Sequence, residues 1–196
     1  MKKYIKIQNR LFSKDLISRF KYSIDKSDFI LGKEVEIFEK SFSKLCNVRY
    51  SISCGNGTDA LILALMSLDL KKNDEIILPA FSYYSTLSSI ISLKLKPVFV
   101  DINKNHPSIN LIELKKKITK KTKAIIGVHL FGSVENFDLI KGIIKKKTIR
   151  LIEDASQAHG AYYLENNNRN NLKNKMVGSL GDLGCFSLYP TKNLGA

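Results

Sequence analysis

Apolar residues fall along the chain in two alternating rhythms. Short, mostly continuous runs cover residues 50–53, 75–78, 97–100, 124–129, 150–153 and 185–188. Runs of that length, continuous rather than alternating, predict strands buried on both faces, as in parallel sheets. Between them, apolar positions recur at three- and four-residue spacing: Leu61, Leu65 and Leu68; Leu111, Leu114 and Ile118; Phe137, Ile140 and Ile144. That spacing predicts amphipathic helices. Thr58 is placed to cap the first of them and Asn110 that over 111–118. The result is the strand–helix–strand rhythm of an α/β chain with a doubly wound parallel sheet. Ahead of it, Val35, Phe38, Phe42 and Leu45 mark a further amphipathic helix. Residues 165–174 are rich in Asn and charge and read as an exposed loop or hairpin tip. No internal repeat and no second-domain boundary shows.

The chain has 196 residues and is 44% hydrophobic, which suits one domain with a real core. Its formal net charge of +14 invites a nucleic-acid role. Against that, lysine far outnumbers arginine, the residue favoured for bidentate phosphate contacts, and the lysines spread over helix faces and loops. A basic surface still suits an anionic substrate such as a nucleotide sugar. Cys46, Cys54 and Cys185 have no metal-ligand spacing, and their sparse, odd number fits a reducing cytosol. The basic start of the chain is followed by no apolar core of signal length, and no apolar stretch reaches a membrane span. The chain therefore reads as soluble and cytoplasmic, without metal, membrane or nucleic-acid partners.

In open parallel sheets, ligands bind beyond the carboxyl ends of the strands. The chemistry-bearing residues cluster at those ends. The turn Gly55-Asn56-Gly57-Thr58 opens a helix and could cradle a phosphate at the positive end of its dipole, or be a tight turn alone. Asp154 closes the fifth run and could hold a ring nitrogen protonated, or cap the next helix. Gln157 could donate to a ring oxygen or make an ordinary surface contact. Tyr83 could stack on a flat ring or pack in the core. His129 and His159 could transfer protons or orient neighbours. Glu153 alternates away from Asp154, so the two acids do not share one site. Ser187 could bind phosphate. Lys192, flanked by Pro190 and Gly195 and set apart from the lysine-rich helices, is a candidate Schiff-base former.

These stretches resemble the DegT/DnrJ/EryC1/StrS sugar aminotransferases, which use pyridoxal 5′-phosphate. The likeness is carried by Gly55-Asn56-Gly57-Thr58-Asp59-Ala60-Leu61, Ile77-Leu78-Pro79-Ala80-Phe81-Ser82-Tyr83, Val128-His129-Leu130-Phe131-Gly132, Ile152-Glu153-Asp154-Ala155-Ser156-Gln157-Ala158-His159-Gly160 and residues 178–196, and runs from about residue 29 onward. The resemblance implies a three-layer α/β/α large domain of the aspartate-aminotransferase-like fold. It would be truncated before its last strand and small domain, with residues 1–30 as an N-terminal arm and 31–196 as the incomplete cofactor-binding domain. It implies that Lys192 binds the cofactor's aldehyde and shuttles protons, and that Asp154 pairs with the ring nitrogen. Gln157 would lie near the ring oxygen and Tyr83 would stack on the ring. Gly57, Thr58, Asp59 and Ser187 would hold the phosphate. The implied reaction moves an amino group from an amino acid, usually glutamate, to a keto-sugar nucleotide, in a homodimer, as in polysaccharide biosynthesis. Two other readings stand beside it. One is a sugar dehydratase on the same scaffold, although dehydratases often carry histidine where this chain has Lys192. The other is a catalytically silent truncated product.

Overall fold

The computed structural model describes residues 2–145, 148–164 and 174–195. Five parallel strands form the central sheet: β1 (Glu75–Pro79), β2 (Lys96–Val100), β5 (Thr122–Val128), β6 (Arg150–Asp154) and β9 (Leu183–Cys185), in the order β2-β1-β5-β6-β9. Every residue of β1 is buried, and nearly all of β5 and β6, because helices cover both faces. Ile77, Ile125 and Leu151 point to one face, where α5 (Leu111–Lys117) supplies Leu114 and α6 (Phe137–Ile144) supplies Phe137 and Ile140. Ile76, Leu78, Ile126 and Ile152 point to the other, against Leu61 and Leu65 of α3 (Gly57–Met66) and Ile90 of α4 (Tyr84–Ser92). This period-two division of the strands makes three layers. Each fully buried Ile or Leu contributes about 1.5–3 kcal/mol. Pro97 sits in β2, where the missing N–H costs no ladder bond because β2 is an edge strand.

Smaller elements complete the chain. The hairpin of β3 (Ile102–Asn103) and β4 (His106–Ile109) leads into α5, and β7 (Tyr162–Leu164) pairs antiparallel with β8 (Asn174–Met176). The predicted exposed loop over 165–174 lies, up to Asn174, outside the described residues. α1 (Lys2–Lys26) and α2 (Lys33–Cys46) precede the sheet. α2 packs through Phe42 and Cys46 on Met176 and Phe186, whereas Leu11, Leu16, Ile17 and Phe20 of α1 remain exposed.

Three expectations need correcting. Residues 50–53 run without strand pairing. Among the described residues no strand lies beside them, and Glu39 of α2 tethers them instead, accepting from Ser51 Oγ through its carbonyl and from Ser53 N through its side chain. The last strand is Leu183–Cys185 rather than 185–188, since its ladder to β6 stops at Cys185. The cap of α3 is Asn56, not Thr58: Asn56 Oδ1 accepts from Thr58 N at 2.9 Å and Asp59 N at 3.0 Å. The helix begins at Gly57, which puts Thr58 already inside its first turn. Asn110 caps α5 as expected. Among the described residues no helix is long and apolar enough to cross a membrane, and no group of three or more His, Cys, Asp or Glu could hold a metal ion.

Candidate active site

Beyond the carboxyl ends of the parallel strands lies a cleft of about 1190 Å³. The mouth of α3 contributes Gly57 and Thr58, and the segment after β1 contributes Tyr83. Asp154 and Gln157 come from the end of β6, and Ser187 and Lys192 from the turn after β9. Sequence-distant residues therefore meet on one edge of the sheet, as its parallel topology requires. Asp59 is not among the residues lining this cleft.

Asp154 is the last residue of β6 and is 5% exposed. Its Oδ2 accepts from Thr86 Oγ1 at 2.8 Å, and its Oδ1 from Ser156 N at 3.3 Å. Thr86 in turn is 2.7 Å from Ser82 Oγ. Thr86 and Ser82 were not singled out from the sequence. The only signal was a hydroxyl-rich run directly after a strand, and such runs are common.

Glu153 points the other way and is fully buried. Its carboxylate accepts from the backbone N–H groups of Gly178, Leu180 and Gly181 at 2.6–2.7 Å, which fixes the turn ahead of β9. It also pairs with His129 Nε2 at 3.0 Å. The Glu135 N–H points at His129 Nδ1 at 2.9 Å, so Nδ1 accepts and Nε2 donates. His129 therefore orients its neighbours. Burial raises the Glu135 carboxyl above the ordinary range, opposed by bonds from Ile109 N and Asn136 N.

Tyr83 is 68% exposed, and Lys192 Nζ lies 5.9 Å from its ring centroid. The ring is thus a face of the cleft rather than core. Gln157 Oε1 accepts from Phe131 N at 2.8 Å, which leaves the amide nitrogen as its remaining donor group. Phe131 adopts a left-handed backbone, φ 57°, in the turn after β5. His159 packs its ring on Phe186 at 5.1 Å. Neither of its buried ring nitrogens reaches a hydrogen-bond partner, although Asn193 and the Ser187 backbone lie near enough to favour the charged form in part. Burial prevails and holds the ring below the ordinary histidine value, with Lys192 adding to the effect.

The residues present fit pyridoxal phosphate. That cofactor needs an amine for its aldehyde, a carboxylate for its ring nitrogen and donors for its phosphate. Lys192, Asp154 and the α3 mouth supply these three around one cleft. At the phosphate end a Cβ on Gly57 would stand 2.7 Å from Ser187 Cβ, so only glycine lets the helix mouth and the Ser187 segment approach this closely. Some donors there are already engaged. Asn56 holds the Thr58 and Asp59 N–H groups, and Thr58 Oγ1 donates to Ser85 Oγ at 2.8 Å.

The family profile described as the DegT/DnrJ/EryC1/StrS aminotransferase family matches residues 12–196. A UDP-N-acetyl-3-dehydro-alpha-D-glucosamine 3-aminotransferase of Acidithiobacillus ferrooxidans is 38% identical over 173 residues, covering 88% of this chain and 44% of that protein. A UDP-2-acetamido-2-deoxy-3-oxo-D-glucuronate aminotransferase of Pseudomonas aeruginosa is 40% identical over 167 residues, covering 85% and 44%. Among solved structures, S. venezuelae DesV in complex with a ketimine intermediate superposes with a TM-score of 0.89 at 28% identity, covering 97% of this chain and 49% of that one. A GDP-4-keto-6-deoxymannose-3-dehydratase, ColD, superposes at 0.76 with 33% identity, covering 85% and 42%. The chain spans a little under half the length of these curated relatives. By profile, identity and fold together, the chain belongs to the DegT/DnrJ/EryC1/StrS aminotransferase family.

Proposed function

We propose that the protein transfers an amino group from glutamate to a keto group on a nucleotide-linked sugar, with pyridoxal 5′-phosphate held in the cleft. The observation that carries this reading is the convergence of Lys192, Asp154 and the α3 mouth on that cleft. Bound there, the cofactor supplies an electron sink that labilises a C–H bond beside the reacting nitrogen. Asp154, buried and hydrogen-bonded, pairs with the ring nitrogen and its proton. The Tyr83 ring covers one face. Gly57 and Thr58 at the helix mouth and the Ser187 hydroxyl bind the phosphate, whereas Asp59, outside the cleft lining and bonded to Asn56, does not; the Gln157 amide nitrogen donates to the ring oxygen. Lys192 Nζ, half-buried above Tyr83, is the amine that would hold the aldehyde and that, once displaced by the incoming amino group, would move the proton of the labile C–H bond.

Relatives named as aminotransferases of UDP- and dTDP-linked sugars support the acceptor class. The exposed apolar side chains of α1 support a partner subunit, and we place the protein as a cytoplasmic homodimer in which residues 1–30 form an arm and 31–196 the cofactor-binding body. The 196-residue chain alone is expected to be inactive, since it spans under half of its curated relatives. A dehydratase reading has ColD as structural support, but position 192 here is a lysine. Mass spectrometry of keto-sugar nucleotides incubated with the protein from its natural gene, pyridoxal phosphate and ¹⁵N-glutamate decides between them. Label in the sugar supports aminotransfer; a deoxygenated sugar without nitrogen supports the dehydratase and contradicts our reading.

A further inference from the structure

The helix α4 (Tyr84–Ser92) is dense in hydroxyl side chains, and most of them do what helical serines ordinarily do. Ser88, Ser89 and Ser92 each turn back to the carbonyl three residues earlier. Thr86 does not. It is fully buried, and its Oγ1 reaches across to Asp154 Oδ2 at 2.8 Å. A threonine hydroxyl has one proton, and Asp154 as a carboxylate can only accept. The Thr86 proton therefore goes to Asp154, and the 2.7 Å bond to Ser82 must be donated by Ser82 Oγ. The result is a polarised relay, Ser82 to Thr86 to Asp154. It occupies Oδ2 with a charge-assisted bond and leaves Oδ1, which takes only the longer bond from Ser156 N, with free acceptor capacity. Ser82 and Thr86 also flank Tyr83, so the same relay ties the segment bearing that ring to the acid.

We propose that Thr86, backed by Ser82, is a positioning residue for the proposed reaction: it fixes the Asp154 carboxylate in the orientation that meets the ring nitrogen of the cofactor. The inference rests on the pyridoxal-phosphate reading of the cleft. A relay of fixed polarity has a single arrangement, whereas a free carboxylate rotates and shares its oxygens with water. Losing the relay therefore weakens the hold on the ring without removing any group that touches it.

The test uses the protein from its natural gene, stripped of cofactor and titrated with pyridoxal phosphate. Thr86→Val conserves volume and deletes the donor; Thr86→Ser retains it. For Thr86→Val the expected result is a Kd for pyridoxal phosphate raised about tenfold to hundredfold, as for loss of a bond to a charged group. Two further effects are expected: a shift in the pH midpoint of the bound cofactor's visible absorbance, and a fall in kcat with the KM for the amino donor little changed. Thr86→Ser should restore all three. Should Thr86→Val not fold, Ser82→Ala carries the test, with a smaller change in the same direction. Unchanged affinity and spectrum in the Val variant (or in Ser82→Ala if that variant is the one measured) overturn the inference, as does failure of Thr86→Ser to restore them. If the unaltered protein binds no pyridoxal phosphate, the functional reading falls and this inference falls with it.

Discussion

His129 Nε2 and Glu153 Oε2 meet at 3.0 Å, and both side chains are completely buried. His129 lines the cleft, and Glu153 does not. His129 N donates to the Asp154 carbonyl at 3.0 Å, while Glu153 holds the turn that leads into β9. The turn ahead of β9, and with it the start of the segment that carries Lys192, thus rests on the Glu153 carboxylate. Glu153→Ala would strand three backbone N–H groups and the His129 donor. Two of these donors, His129 Nε2–H and Leu180 N–H, are buried, and each costs about 1–3 kcal/mol when left without a partner, so a loss of at least about 2 kcal/mol is expected in urea unfolding. A loss under 1 kcal/mol, of the size seen for ordinary surface changes, would show that the turn is held by something else.

Asn56 is the structural cap of α3, and its Nδ2 also donates to Asp59 Oδ2 at 2.8 Å. Asn56→Ala should lower stability by about 1 kcal/mol, and Asn56→Ser should recover most of it. Thr58→Val, by contrast, removes only the bond to Ser85 and leaves the helix capped. Thermal unfolding of the three variants checks the order. A larger loss for Thr58→Val than for Asn56→Ala would return the cap to Thr58.

His159 makes stability depend on pH in a defined direction. Burial holds its ring below the ordinary value of 6.5. Between the lowered value in the fold and 6.5, the unfolded chain binds the proton and the folded chain does not. Stability is therefore fully present above 6.5 and falls as pH drops through that window. Urea midpoints measured across the window should fall toward acid in the unaltered protein and flatten in His159→Gln. The same slope in both would assign the effect to another group.

The buried sheet was legible in the sequence because strands covered on both faces must be apolar at successive positions, as Ile76, Ile77 and Leu78 are. Residues 50–53 alternate Tyr, Ser, Ile and Ser, a pattern that also suits a strand, but a run becomes a strand only where another backbone offers its hydrogen bonds, and sequence pattern does not report the neighbour. β9 was misplaced for a different reason. It contains Gly184, whose missing Cβ would stand 2.6 Å from Gly178 Cα, so close backbone approach replaced the apolar signal. In the cleft, Lys192, Asp154, Ser187 and the α3 mouth could be placed on one edge from topology alone, because parallel strands all end on the same side. Thr86 could not. Its meaning lies in a bond to Asp154, 68 residues away, and nothing local distinguishes it from the serines around it.

The central claim is that one particular amine, among many lysines, meets the cofactor's aldehyde. Borohydride reduction of the protein from its natural gene with pyridoxal phosphate, followed by peptide mapping, tests it most directly. The account predicts a pyridoxyl group on Lys192 and none in Lys192→Ala. No adduct at position 192, or label spread evenly over surface lysines, would contradict it.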